Sequence, residues 1–168
     1  MNRTARRMLL RSAGIVVASL AVSAGYAFVR GIPWRPDLEA IAAKAQHRAV
    51  LHAEVGITLD EFRELVGSGA IVVDVRSADA FEEEHLAAPE TVVLNVPASE
   101  LDEHIPRLMA LLGEELVLHC SSVDCDDAEE VYEQLVGFGF EPARLHVLVP
   151  GWKGLVEAGW EAVSGPEF

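Results

Sequence analysis

Basic residues are scarce beyond the first eleven positions of this chain. Four of its 13 lysines and arginines (Arg3, Arg6, Arg7 and Arg11) fall there with no acid among them, which leaves nine against 27 acidic residues in the rest. A body that acidic repels a polyphosphate, which excludes nucleic acid as a partner. Cysteine is nearly absent: Cys120 and Cys125 are too few for a disulfide scaffold. Internal repeats and low-complexity tracts are lacking too, and no cofactor is expected. The 168 residues suit one ordinary domain with an appendage. A body of about 110 residues is enough for one hydrophobic core.

Long hydrophobic runs are also missing, with one exception. Residues 12–29, SAGIVVASLAVSAGYAFV, carry no charge, and Arg30 ends the run. Eighteen residues rising about 1.5 Å each reach about 27 Å, just enough for a bilayer core. The run is apolar on every face, unlike a buried helix of a globular protein. The arginines ahead of it predict a cytoplasmic N-terminus and an exported C-terminal body. The small residues Ser23, Ala24, Gly25 and Ala27 would suit a signal peptidase, and Arg6-Arg7 resembles a twin-arginine export signal. The length of the run and the aromatics Tyr26, Phe28 and Trp34 favour an uncleaved single-pass anchor in the cell membrane, with a cleaved signal as the alternative.

Pro33 and Pro36 bar a helix from continuing out of this run, so residues 31–55 read as a connector, partly helical. Asp37 is placed to cap a helix from Leu38 to about Val50, with Leu38, Ile41, Ala42 and Ala45 on its apolar face. His47 and His52 read as solvated residues on it. Thr58 and Glu61 form a capping-box pattern for a helix to about Val66, which buries Leu59, Phe62, Leu65 and Val66. Four short β-branched runs follow, at 70–75, 92–96, 116–119 and 145–149, with helical stretches at 79–84, 99–112 and 126–136 between them. Strands alternating with helices predict an α/β domain with a mainly parallel sheet.

Residues 115–131, ELVLHCSSVDCDDAEEV, are the chemically distinctive stretch. An apolar strand ends at Cys120, a tight polar loop follows, and a new helix begins. In such a layout loop amides and the positive helix end favour a thiolate, or an anion beside it.

The body, over residues 56–159, resembles a rhodanese-like domain. Val73-Asp74-Val75-Arg76 with Phe81, His85 and Leu86 is similar to the family's "IDVR…EF…GHI" motif. Leu94-Asn95-Val96-Pro97 matches its "NVP" strand, residues 116–120 its nucleophile strand, and Gly139-Phe140 through Gly151-Trp152 to Ala158-Gly159 its closing segment. The resemblance implies a doubly wound, mainly five-stranded parallel sheet over about residues 56–162, behind the N-terminal membrane segment at 1–30. It also implies a persulfide-forming cysteine at Cys120, and hence sulfur transfer with a small sulfur donor or acceptor.

The departures bear on the chemistry. A family loop such as "CRSGNRS" holds arginines for an anionic donor. Here Ser121, Ser122, Val123, Asp124, Cys125 and Asp126 follow the cysteine, one residue longer, with two acids and no base. Glu84 replaces the glycine before the family's histidine, and Pro150 replaces the first glycine of the closing pair. The loop length also resembles that of dual-specificity phosphatases, but Asp126 or Asp127 stands where they need arginine, so phosphatase chemistry is not expected. Carboxylates near the sulfur should raise its pKa and repel thiosulfate. The Cys-x4-Cys-Asp pattern resembles a subset of exported bacterial rhodanese-like proteins. Cys120 is thus the candidate nucleophile. Cys125 remains a resolving thiol or disulfide partner, a second sulfur carrier, or a helix-start filler. Both thiols with His85, His119 and the loop acids contain soft-metal ligand types, but no metal is assigned. Asp74, Arg76, His119, Trp152, Leu155 and Trp160 read as structural, and Glu82-Glu83-Glu84 as a solvated face. The function expected is sulfane-sulfur transfer or thiol redox chemistry at Cys120. The alternative is a catalytically inactive binding module at the membrane.

Overall fold

A computed structural model describes residues 37–166. The apolar run at 12–29 lies outside them. Among the described residues no helix is long and apolar enough to cross a membrane.

The first described element is helix α1 (Leu38–Val55), opened by Asp37, whose Oδ1 accepts from the backbone N–H groups of Glu39 and Ala40. From Ala45 onward the chain belongs to one compact unit. Its elements are β1 (Gly56–Ile57), α2 (Leu59–Gly67), β2 (Ile71–Asp74), α3 (Ala78–Glu83), β3 (His85–Leu86) and β4 (Val93–Asn95). After them come α4 (Leu101–Leu108), β5 (Leu116–His119), α5 (Asp127–Gly137), β6 (Leu145–Leu148), α6 (Gly151–Glu157) and β7 (Ala162–Val163). Helix α2 starts where the capping box predicts: Thr58 Oγ1 accepts from the Glu61 N–H, and Glu61 Oε2 accepts from the Thr58 N–H.

Five strands pair in the order β1-β6-β5-β2-β4, all parallel. A parallel sheet must be covered on both faces, and the alternation of side chains along each strand supplies two cores. Val73, Val75, Leu116, Leu118, Cys120, Leu145 and Val147 face α4 and α5. Val72, Val117 and Leu148 face α2 and α6 through Phe62, Val66 and Leu155. The fold is the expected doubly wound α/β architecture. Strand β1 is too short to leave a periodic pattern, and the antiparallel pair β3–β7 went unread for the same reason.

Two readings need correction. The helical stretch at 99–112 is three pieces, 3₁₀ turns at Ala98–Glu100 and Met109–Leu111 around α4, with Pro106 inside the α segment. The predicted apolar face of α1 is solvent-exposed, with Leu38 71% accessible, while Leu51 (8%) is the α1 side chain in the core. The reason is a shift of face: Arg48, Leu51 and His52 share the stripe that packs on the domain.

Candidate functional site

Strand β5 delivers Cys120 at its carboxyl end, in the middle of the sheet, where open α/β sheets bind ligands. The strand's alternation sends His119 to one face and Cys120 to the other. Cys120 is 4% exposed and packs among Val75, Val96 and Ala128 in its core cluster. The loop then doubles back, with the Cys125 N–H donating to the Ser122 carbonyl at 3.0 Å. This turn brings Cys125 to Cys120, Cα to Cα 6.2 Å, and the two sulfurs form a disulfide. Of the three readings open for Cys125, the structure shows the disulfide partner.

The start of α6 clamps the loop from behind. Trp152 N–H donates to the Cys120 carbonyl at 2.7 Å, and Lys153 N–H to the Ser121 carbonyl at 2.9 Å. Gly151 makes this approach feasible. Its φ is +61°, and a Cβ there would lie 2.7 Å from the Cys120 carbonyl oxygen and 2.9 Å from the Ser122 nitrogen.

Carboxylates dominate the electrostatics, and they are divided. Asp126 pairs with Arg48, reaching in from α1. Asp127, exposed at the start of α5, places Oδ2 3.5 Å from Cys120 Sγ and 3.4 Å from Cys125 Sγ. Ser121 Oγ lies 3.7 Å from Cys120 Sγ. Glu129 pairs with His52, and Glu133 lies 2.5 Å from His47. The two α1 histidines therefore bind carboxylates of α5, and His52 is half-buried rather than solvated. Sequence reasoning left open whether Asp126 or Asp127 lies by the sulfur, which the structure answers with Asp127, and it missed Arg48 at the loop. The i, i+4 pair Arg48–His52, opposite the acid-rich first turns of α5, was the available signal.

The remaining candidates lie elsewhere. His85 is buried, stacked on Phe81 with ring centroids 3.9 Å apart. His119 is fully buried on the opposite face of β5, its Nε2 3.7 Å from Asp74 Oδ2. Burial pushes its pKa down, opposed by the Asp74 charge. Asp74 accepts from the Arg76 backbone N–H and guanidinium, while Arg76 donates to the Glu84 carbonyl and stacks 4.4 Å over Trp152. That network holds the turn after β2. Neither histidine joins the sulfurs. The metal-ligand types that do come together, within 4.8 Å, are Cys120, Cys125 and Asp127, with both sulfurs committed to their mutual bond. Val123 and Asp124 are exposed on the loop, and Ser122, whose backbone lies against Gly151, is half-buried.

A sulfur nucleophile with a second sulfur in covalent reach can cycle between dithiol and disulfide. Comparison with solved structures finds the same fold. A protein from Bacillus halodurans aligns with a TM-score of 0.57 and 18% identity, over 73% of this chain and 86% of its own. A rhodanese-related protein from Thermoplasma volcanium gives 0.54 and 20%, over 65% and 97%. A thiosulfate sulfurtransferase from Pseudomonas aeruginosa gives 0.53 and 20%, over 66% of this chain but 20% of that one. Comparison with curated protein sequences finds no match. The profile of the Rhodanese-like domain matches residues 58–158, most of the chain and all of β2 through α6, and with the sheet order and the strand-end cysteine it makes this chain a member of the rhodanese-like domain family.

Proposed function

We propose that this chain performs thiol chemistry at Cys120, as sulfane-sulfur transfer or disulfide exchange with a small sulfur donor or acceptor, and that Cys125 resolves the product. The observation that carries the reading is the Cys120–Cys125 disulfide at the carboxyl end of the central strand. In the sulfur branch, the Cys120 thiolate takes the terminal sulfur of a persulfide donor R–S–SH and releases R–S⁻. The Cys125 thiolate then attacks Cys120 Sγ and expels hydrosulfide, which leaves the disulfide. An external thiol pair returns it to the dithiol. In the redox branch the same pair exchanges directly with an external disulfide. We further propose that residues 12–29 anchor the chain once in the cell membrane, with the N-terminus cytoplasmic and the domain exported. The uncharged run behind four arginines supports this topology, and a cysteine pair held as a disulfide suits an oxidising compartment.

The test is intact-mass spectrometry of the full-length chain in detergent, reduced and then exposed to polysulfide, thiosulfate or a mild oxidant. A gain of about 32 Da in Cys125→Ser, which cannot resolve the persulfide, and its absence in Cys120→Ser/Cys125→Ser supports sulfur transfer, whereas a loss of about 2 Da in the unmodified chain with no such gain in Cys125→Ser supports the redox branch. No change with any reagent would sink both and leave the binding module. Carbonate extraction of membranes tests the anchor: release of the intact chain would overturn it.

A further inference from the structure

We propose that Asp127 makes the sulfur pair selective by charge. The partner the site accepts is a neutral or cationic thiol, persulfide or disulfide, and anions such as thiosulfate are turned away. The inference rests on the thiol chemistry proposed above and names the substrate class for it.

Two adjacent acids end the loop, and the fold gives them different surroundings. The Asp126 charge is opposed by Arg48. The Asp127 carboxylate lies 3.5 and 3.4 Å from the two sulfurs. Cys120 is nearly buried and Cys125 half-buried, so Asp127 is the exposed member of the trio. A reagent that reaches either sulfur must come within a few ångströms of that carboxylate. Among the described residues, the two cations nearest the loop in the fold are each paired with another acid, Arg48 with Asp126 and Lys153 with Glu157 at 3.9 Å. Glu130 adds a further negative charge to the first turn of α5. At separations this far below the Debye length salt screens little, and one unit of substrate charge changes the attack rate by on the order of tenfold.

The reaction that reads this out is oxidation of the dithiol by a small disulfide RSSR. One sulfur–sulfur bond forms in the protein as one breaks in the reagent. Two electrons pass from the cysteines to RSSR, and the two thiol hydrogens end on two RSH. The full-length chain, reduced and freed of reductant, is mixed with cystamine (cationic), hydroxyethyl disulfide (neutral) or dithiodiglycolate (anionic). Remaining thiols are trapped by alkylation and counted by mass. With every rate divided by that of the same reagent toward free dithiothreitol, which removes the leaving-group difference between the reagents, cystamine should oxidise the pair at least about tenfold faster than dithiodiglycolate. In Asp127→Asn the two rates should converge to within about threefold, whereas Glu130→Gln, which removes the same charge one turn further along α5, should keep most of the ratio. Equal rates for all three reagents in the unmodified chain would overturn the charge selection and leave the dithiol reading standing. Equal collapse in Glu130→Gln would overturn the assignment to Asp127. Failure of every reagent to oxidise the pair would refute the dithiol reading itself.

Discussion

Opening the Cys120–Cys125 bond should weaken the domain only slightly, and this follows from the size of the loop it closes. The two cysteines are five residues apart. The chain-entropy cost removed from the unfolded state grows with the logarithm of loop length, and for so small a ring it comes to about 2 kcal/mol at 25 °C. Each kcal/mol is worth about 4 °C in a compact unit of this size, so full reduction should lower the melting temperature by about 6–10 °C. The core does not depend on the bond. Val117, Leu116 and Leu118 of β5 are fully buried, and the Cys120 and Ser121 carbonyls stay tied to the Trp152 and Lys153 amides whatever the sulfurs do. The assay is thermal unfolding followed by tryptophan fluorescence, with and without a phosphine reductant, with Cys120→Ser/Cys125→Ser measured in parallel. A reduced chain that melts cooperatively within this window is a folded dithiol ready for another cycle. A reduced chain that is unfolded at 25 °C, or that loses well over about 4 kcal/mol, would refute the reasoning. The bond would then be a staple, and the redox cycle would be untenable.

Three further outcomes follow from the packing. Leu51→Ala should cost about 2–3 kcal/mol in urea denaturation, because α1 inserts this side chain into the core, and a loss under about 0.5 kcal/mol would mean that α1 is merely a tether. Gly151→Ala should cost about 2–4 kcal/mol and slow disulfide formation, since its Cβ meets the Cys120 carbonyl at 2.7 Å in a left-handed backbone; unchanged stability would show that the clamp gives way freely. His119 is buried with its pKa held down, so the unfolded chain takes up a proton first as pH falls. Its contribution is intact above about pH 6.5 and is lost at up to about 1.4 kcal/mol per pH unit below it, which His119→Gln should flatten between pH 6.5 and 5 in denaturant titrations. An equally steep dependence in that variant would assign the effect to another group.

How much of this could be read from the chain alone depended on the range of the interaction. Val72, Val73 and Val117 announce central parallel strands because both faces of each need apolar residues, a local property that repeats in sequence. Thr58 and Glu61 announce a helix start because the capping box closes within four residues. Cys120 was legible because a strand end and a following helix set its position. The partners of α1 were not legible. Arg48 meets Asp126, and His52 meets Glu129, 77 residues away, and no periodicity encodes which acidic turn a helix will face. The apolar face assigned to α1 failed for the same reason: Leu38 and Ile41 have the spacing of a buried stripe, but the turns that carry Arg48 and Leu51 are the ones that find the domain.

That misplacement bears on the chemistry of the loop. From the sequence, a cysteine loop with acids and no arginine looks electrostatically incomplete, because the negative charges should repel one another as well as the substrate. In the folded chain, Arg48 supplies a guanidinium from outside the loop and spends it on Asp126, at the residue just before α5 begins. A guanidinium placed this way lowers the repulsion within the loop without creating a binding site for an anion, since its charge is already matched. It also fixes which of the two neighbouring acids faces the sulfurs. Asp126 is drawn toward α1, and Asp127 lies against both Sγ atoms. Arg48→Ala would therefore remove one positive charge from beside the loop and strengthen the repulsion of anionic disulfides, although the mutated side chain belongs to α1 and not to the loop. The outcome is read as a further fall in the rate of oxidation by dithiodiglycolate relative to cystamine. An unchanged ratio would show that the α1 arginine and the sulfur pair act independently.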